Sequence, residues 1–259
     1  MKDIRLAFLY STLKYVEMFI LAIVNILLAR KIGPAEMGYG MSFLLFVTYS
    51  NYFNLGGPQV YLKMKAIGNR VDYNIISKNI ILALLFSLFI PLILFDNIDD
   101  SIFIGLVSIT VLLRSYYLSR CRLKENLKAI NIINIFGSFS LLLLFFLFVN
   151  NFTDYIKMWF VSNLLVLIIY VFYEVEFTRK LINGVFFKVN FDDLMFFYGV
   201  GIKLSLIGLV TTLFLSMDRL MISMLDNDQK TLGVYQLSDT MSMLFYVFIT
   251  NVQFYFTQS

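Results

Sequence analysis

Residues 80–95 read IILALLFSLFIPLILF, and residues 137–149 read GSFSLLLLFFLFV. Neither stretch carries a charge. With its apolar neighbours, each approaches the roughly 20 residues that a helix needs to cross the ~30 Å hydrocarbon layer of a bilayer. Unbroken apolar runs also lack the alternation of a membrane-barrel strand, so they read as helices. The whole chain agrees with them. Of its 259 residues 59% are hydrophobic and only 15% charged, and mean hydropathy is +0.79. A soluble domain carries about 25% charged residues, so this chain has too little charge to cover a surface facing water. The reading is an all-α, polytopic transmembrane helix bundle.

Eight spans are expected: Leu6–Ala29, Tyr39–Leu62, Ile75–Phe95, Ser101–Leu118, Ala129–Val149, Ile156–Tyr173, Leu194–Met217 and Leu232–Phe256. Asp96–Asp100 and Asn150–Tyr155 are expected to be tight hairpins. The segment Glu174–Asp193 is long enough for an amphipathic piece lying in the membrane interface, or for an ordinary loop. With the N-terminus in the cytoplasm, the inner segments hold Lys2, Arg5, Lys63, Lys65, Arg70, Lys78, Arg120, Arg122, Lys124, Lys128, Arg179, Lys180 and Lys188. The outer segments hold only Arg30, Lys31, Lys157 and Lys230. That asymmetry sets the expected orientation of a multi-pass protein of a plasma membrane. Lys14 and Glu17 interrupt the first apolar run, so it does not read as a cleavable signal peptide.

The composition excludes several kinds of chemistry. There is no histidine, which removes imidazole zinc sites and the Ser-His and Cys-His nucleophile pairs. The single cysteine, Cys121, can form neither an internal disulfide nor a CxxC device. No Walker pattern is present. Asp99-Asp100 and Asp226-x-Asp228 resemble acidic metal pairs only weakly, and acidic residues in hairpins are usually solvated. No enzyme activity, cofactor or metal is expected.

Charges inside the spans carry the functional reading, because each costs about 2.5–3.5 kcal/mol at a helix centre unless it meets a partner or water. They are Lys14, Glu17, Arg114, Lys203, Asp218, Arg219 and Asp239. Lys14 and Glu17 are three residues apart and can pair on one helix face. Arg114 lies about one turn from a helix end and can snorkel, as can Asp218 and Arg219. Lys203 follows Gly199 and Gly201 two turns into its span and reads as facing an internal cavity. Small and polar residues concentrate in the first, second, seventh and eighth spans, which points to a cavity between them. Lysine and arginine there would suit an anionic, sugar-bearing ligand. Lys14, Arg114, Lys203 and Arg219 are the candidate substrate-binding residues.

Three stretches carry a family resemblance. Ala29-Arg30-Lys31-Ile32-Gly33-Pro34, followed by Met37-Gly38, resembles the outer loop of the polysaccharide-transporter family. Asn54-Leu55-Gly56-Gly57 followed by Lys63 resembles that family's second-helix segment, with Asn54 standing where Asp is more usual. Met217-Asp218-Arg219-Leu220-Met221-Ile222 with Leu232-Gly233-Val234-Tyr235 resembles its seventh-to-eighth helix element. The family comprises O-antigen and capsule flippases of the multidrug and lipid-oligosaccharide exporter superfamily.

The resemblance implies alternating access by two six-helix lobes. It implies an undecaprenyl-diphosphate-linked glycan as substrate, moved from the cytoplasmic to the periplasmic leaflet of the bacterial inner membrane during O-antigen or other surface-polysaccharide assembly. Other polysaccharide-assembly membrane proteins would be partners, and nucleic acid would not. It assigns structural roles to Arg30, Gly33, Pro34, Gly56, Asp218, Gly233 and Tyr235. Arg30 would anchor the first helix, Gly33 and Pro34 would turn the chain, and Gly56 would allow a kink or a close helix approach. On this pattern residues 1–180 form an N-terminal six-helix lobe. Residues 181–193 form a cytoplasmic inter-lobe linker, and 194–259 the first two helices of an incomplete second lobe, as in a truncated product. The competing readings are a drug or cation exporter of the same superfamily, and a membrane glycosyltransferase or polysaccharide polymerase. The second of these would need a large outer loop, and the outer loops here are short.

Overall fold

The computed structural model describes residues 2–67, 72–124, 126–225 and 230–242. Among these the chain is helical without strands. The helices are α1 (Lys2–Ile32), α2 (Pro34–Ser50), α3 (Gly57–Ala66), α4 (Tyr73–Leu94) and α5 (Ile98–Leu123). They continue with α6 (Leu127–Phe148), α7 (Phe152–Tyr173), α8 (Val175–Phe186), α9 (Phe191–Leu225) and α10 (residues 230–242). Six helices contain stretches long and apolar enough to cross a membrane: α1, α4, α5, α6, α7 and α9. The fold is an all-α polytopic bundle, and the chain is a multi-pass membrane protein.

One expectation is corrected. The expected second span, Tyr39–Leu62, is not one helix. It is broken at residues 51–56 into α2 and α3, where Leu55 has φ 47° and Gly56 φ 76°. Left-handed backbone at two successive residues cannot continue a right-handed helix. The break and the first turn of α3 carry Asn51, Asn54, Gly56, Gly57 and Pro58, and the span reads as continuous only because apolar residues stand on both sides of them. Between α7 and α9, α8 occupies most of the segment Glu174–Asp193, where an amphipathic piece is one of the two sequence readings. The expected eighth span begins within α10, and its part beyond residue 242 lies outside the described residues, as does the Asp226-x-Asp228 pair.

Contacts divide the chain into two compact units. The first comprises residues 1–43, 127–162 and 218–259. Within it α1 packs along α6, with Val24 and Leu28 of α1 and Leu141 and Phe145 of α6 buried. The α1–α2 turn is made as its sequence predicts. Gly33 has φ 84°, the left-handed conformation that favours glycine at a helix C-terminus, and its N–H donates to the Ala29 carbonyl at 3.0 Å. Pro34 then opens α2, where a missing N–H costs nothing. Phe152 stacks on Phe43 at 5.6 Å between ring centroids, edge-on to Tyr39. Ser162 donates to the Gly137 carbonyl at 2.7 Å.

The second unit comprises residues 44–126 and 163–217. Its centre is the α4–α5 hairpin. Asp72 caps α4 by accepting from the Asn74 N–H at 2.8 Å, and Asn97 caps α5 by accepting from the Asp99 N–H at 3.1 Å. Asp99 and Asp100 therefore stand in the first turn of α5, where acidic groups complement the helix dipole. The α5 side contributes a column of fully buried residues, Ile104, Val107, Leu112 and Tyr116.

Candidate functional site

In the first unit, the resembling stretches at opposite ends of the sequence meet. A Cβ added to Gly233 of α10 would lie 1.9 Å from the Pro34 carbonyl oxygen and 3.0 Å from the Gly38 nitrogen. Only a residue without a side chain lets the two backbones approach so closely. The α9–α10 element is closed by side chains of the same stretch and by Asp239 just beyond it. Tyr235 donates its hydroxyl to the Asp218 carboxylate, and the Arg219 guanidinium pairs with Asp239. Asp218 also accepts from the Arg219 backbone N–H at 2.9 Å. Adjacent side chains on a helix diverge, so Asp218 and Arg219 each reach to α10 instead of to one another. The sequence spacing did not reveal Asp239 as the partner of Arg219. Lys14 pairs with Glu17 at 2.9 Å, the i to i+3 pair its spacing allows. Arg30 is exposed at the end of α1.

In the second unit, the break between α2 and α3 is held by a buried polar knot. The Asn54 side chain accepts from the Gly56 N–H at 3.0 Å. Asn79 of α4, fully buried, donates to the Asn54 carbonyl at 2.6 Å and to the Tyr116 hydroxyl at 2.9 Å. Against the outer side of the break lies α9. A Cβ on Gly56 would stand 2.3 Å from the Gly201 carbonyl oxygen, and one on Gly201 2.4 Å from the Leu55 carbonyl oxygen. Gly56 thus both adopts a left-handed turn and admits a helix at backbone distance. Further along α9, Tyr52 donates to the Gly208 carbonyl at 2.9 Å and meets the Thr212 hydroxyl, while Tyr49 and Ser216 share a bond of 2.5 Å. The small and polar residues Gly201, Ser205, Gly208, Thr212 and Ser216 form a contact stripe. Several small and polar residues of the expected seventh span are thus used in helix packing.

Lys203 lies off that stripe. It is exposed on α9 among exposed Ile202, Leu206 and Ile207, with no hydrogen bond or ion pair to the described residues. Arg114, half-buried, donates to the Asn163 side-chain oxygen at 3.3 Å. Of the four candidate substrate-binding residues, Lys14 and Arg219 belong to the first unit and Arg114 and Lys203 to the second.

The sequence reading passed over Glu174, between α7 and α8. Its carboxylate is 2% exposed and lies 2.6 and 2.7 Å from the Lys124 ammonium and 3.6 Å from Arg120 Nε. Arg120 in turn reaches the Tyr61 hydroxyl at 3.4 Å. The apolar run ends at Tyr173 and leaves Glu174 outside the spans, and its burial arises only when α5 and α7 end side by side. A cavity of about 360 Å³ lies in the same unit, lined by Val60, Met64, Asp72, Ile75, Asp193, Phe196 and Phe197. Its charged groups are the carboxylates of Asp72 and Asp193.

Among the described residues no three potential metal ligands come together. Cys121 is buried in α5. Comparison with known families, characterised proteins and solved structures yields no match.

Proposed function

We propose that this protein translocates a lipid-linked anionic oligosaccharide, of the undecaprenyl-diphosphate type, across a bacterial inner membrane as a flippase of the polysaccharide-transporter kind. The observation that carries this reading is the packing of Gly233 on the Pro34 carbonyl, with Tyr235 on Asp218 and Arg219 on Asp239 beside it. Stretches about 200 residues apart that jointly resemble one family are thereby joined through the very residues that carry the resemblance. Lys203 supports the cargo class. A lysine presented on a spanning helix needs water or an anion, and a diphosphate meets that need. The work is positional, so no catalytic residue and no cofactor enters.

The test is a sidedness assay. The chain is expressed with a cognate glycan pathway in a bacterium lacking its own exporter of this class. Lipid-linked repeat units should become accessible at the outer face. Their continued confinement to the inner face, with the protein present in the membrane, would reject the cargo. Lys203→Ala should abolish transport at unchanged protein level, and retained transport would remove Lys203 from the path. The cavity bearing Asp72 and Asp193 favours a second reading, export of an organic cation. Under that reading Asp193→Asn, and not Lys203→Ala, would abolish efflux of a cationic dye.

A further inference from the structure

Helix α8 separates its apolar and polar residues more sharply than any other of α1–α9. One face is docked. Phe177 is buried against the rings of Tyr61, Tyr73 and Tyr117, the Leu181 carbonyl accepts from Ser77 at 2.6 Å, and Gly184 lies against Ser77 and Tyr73. Three successive turns of α8 thus touch the first turn of α4. The Thr178 hydroxyl meets Tyr117 near the end of α5 at 2.9 Å, and Glu174 ties the start of α8 to Lys124. One span begins here and two end here, so α8 is fixed at the level of the bilayer surface.

Next to the docked face is a second apolar sector that nothing described covers. Val175, Ile182, Val185 and Phe186 share it, and Phe186 is 83% exposed. Arg179, Lys180 and Asn183 form the polar edge, with Lys188 just beyond the helix. From residue 175 to 188, three basic groups stand against the single acidic Glu176. We propose that α8 is a membrane-interface anchor. Ile182 and Phe186 enter the acyl boundary, and Arg179, Lys180 and Lys188 bind the headgroups of anionic phospholipid. An apolar sector flanked by cations, at the ends of spanning helices, matches a negatively charged lipid surface in both polarity and charge.

The test uses the full chain in nanodiscs of phosphatidylcholine and phosphatidylglycerol. Cys121 is fully buried, so a fluorophore on Phe186→Cys or Asn183→Cys reports the introduced position. The label at 186 should be quenched by lipid carrying a nitroxide near the headgroup and shielded from aqueous iodide, and the label at 183 should behave in reverse. Nitroxide-labelled phosphatidylglycerol should be preferred over labelled phosphatidylcholine by about fivefold for each basic residue engaged. The triple variant Arg179→Gln, Lys180→Gln, Lys188→Gln should erase that preference. Equal iodide quenching at the two positions would place α8 in water and overturn the proposal. A label at 186 reached by neither quencher would mean that protein covers the face, which also overturns it. Equal quenching by the two lipids, or a preference that survives the triple variant, would remove the anionic assignment.

Discussion

Helices α5 and α9 are both long enough and apolar enough to span a membrane, yet they are held in opposite ways. Half of the apolar window of α5 is buried, against 17% of that of α9. Helix α5 buries bulk, with Ile104, Leu112, Tyr116 and Tyr117 inside. Helix α9 buries almost nothing large between Gly201 and Ser216. It presents glycines and hydroxyls to its neighbour and leaves Ile207, Phe214 and Leu215 exposed. Yet α9 is the more apolar of the two. In a bilayer, apolarity places a helix but does not attach it, because lipid tails solvate leucine as well as protein does. Close backbone approach and polar contacts do the attaching.

The sharpest way to break the comparison is at the closest approach. Gly201→Leu should cost about 3 kcal/mol or more, because even its Cβ would overlap the Leu55 carbonyl and overpacking is not relieved by backbone. Loss of monodisperse protein in detergent would show it, and normal thermal unfolding would mean that α9 does not rest on the break. On the α5 side, Glu174→Ala should cost about 2–3 kcal/mol, since Arg120 and Lys124 lose the carboxylate they share. The partial exposure of Lys124 keeps this below the value for a fully buried pair, and a melting curve measures it. The smallest effect tests the polar attachment of α9. Tyr52→Phe removes the bond to Gly208 and should cost about 1 kcal/mol. A double variant with Thr212→Val should be less than additive, because both changes remove the same hydroxyl contact.

The apolar runs made the membrane class and six spanning helices legible, because span length follows from bilayer thickness. The Gly33–Pro34 turn was legible for a local reason: both residue types dictate their own backbone. The α2–α3 break was only half legible. Gly56 read as a kink or a close approach and is both, but Leu55 adopts its left-handed φ because Asn54, Asn79 and Tyr116 hold the turn, and such a cage is tertiary. The candidate cations were identified by their cost in lipid. Their partners were not, except for Lys14, whose partner lies one turn away on the same helix. Asp239 and Glu174 took their roles from helix ends meeting in space, which periodicity does not encode.

The stripe on α9 has a consequence for motion along the helix axis. Glycine, serine and threonine raise no tall ridge, so interdigitation does not lock the axial position of α9. The tyrosine hydroxyls of residues 49 and 52 and the seat of Gly201 on the Leu55 carbonyl set it instead, and the stripe repeats at nearly one-turn intervals. A slide of one turn, about 5.4 Å, brings Thr212 to the place of Gly208 and Ser216 to the place of Thr212. Tyr52 would find a carbonyl and a hydroxyl again, but Ser205 would come to the place of Gly201, where a Cβ overlaps the Leu55 carbonyl. The contact is a ruler whose marks recur at the tyrosines and whose zero is fixed by one glycine, Gly201 against the Leu55 carbonyl.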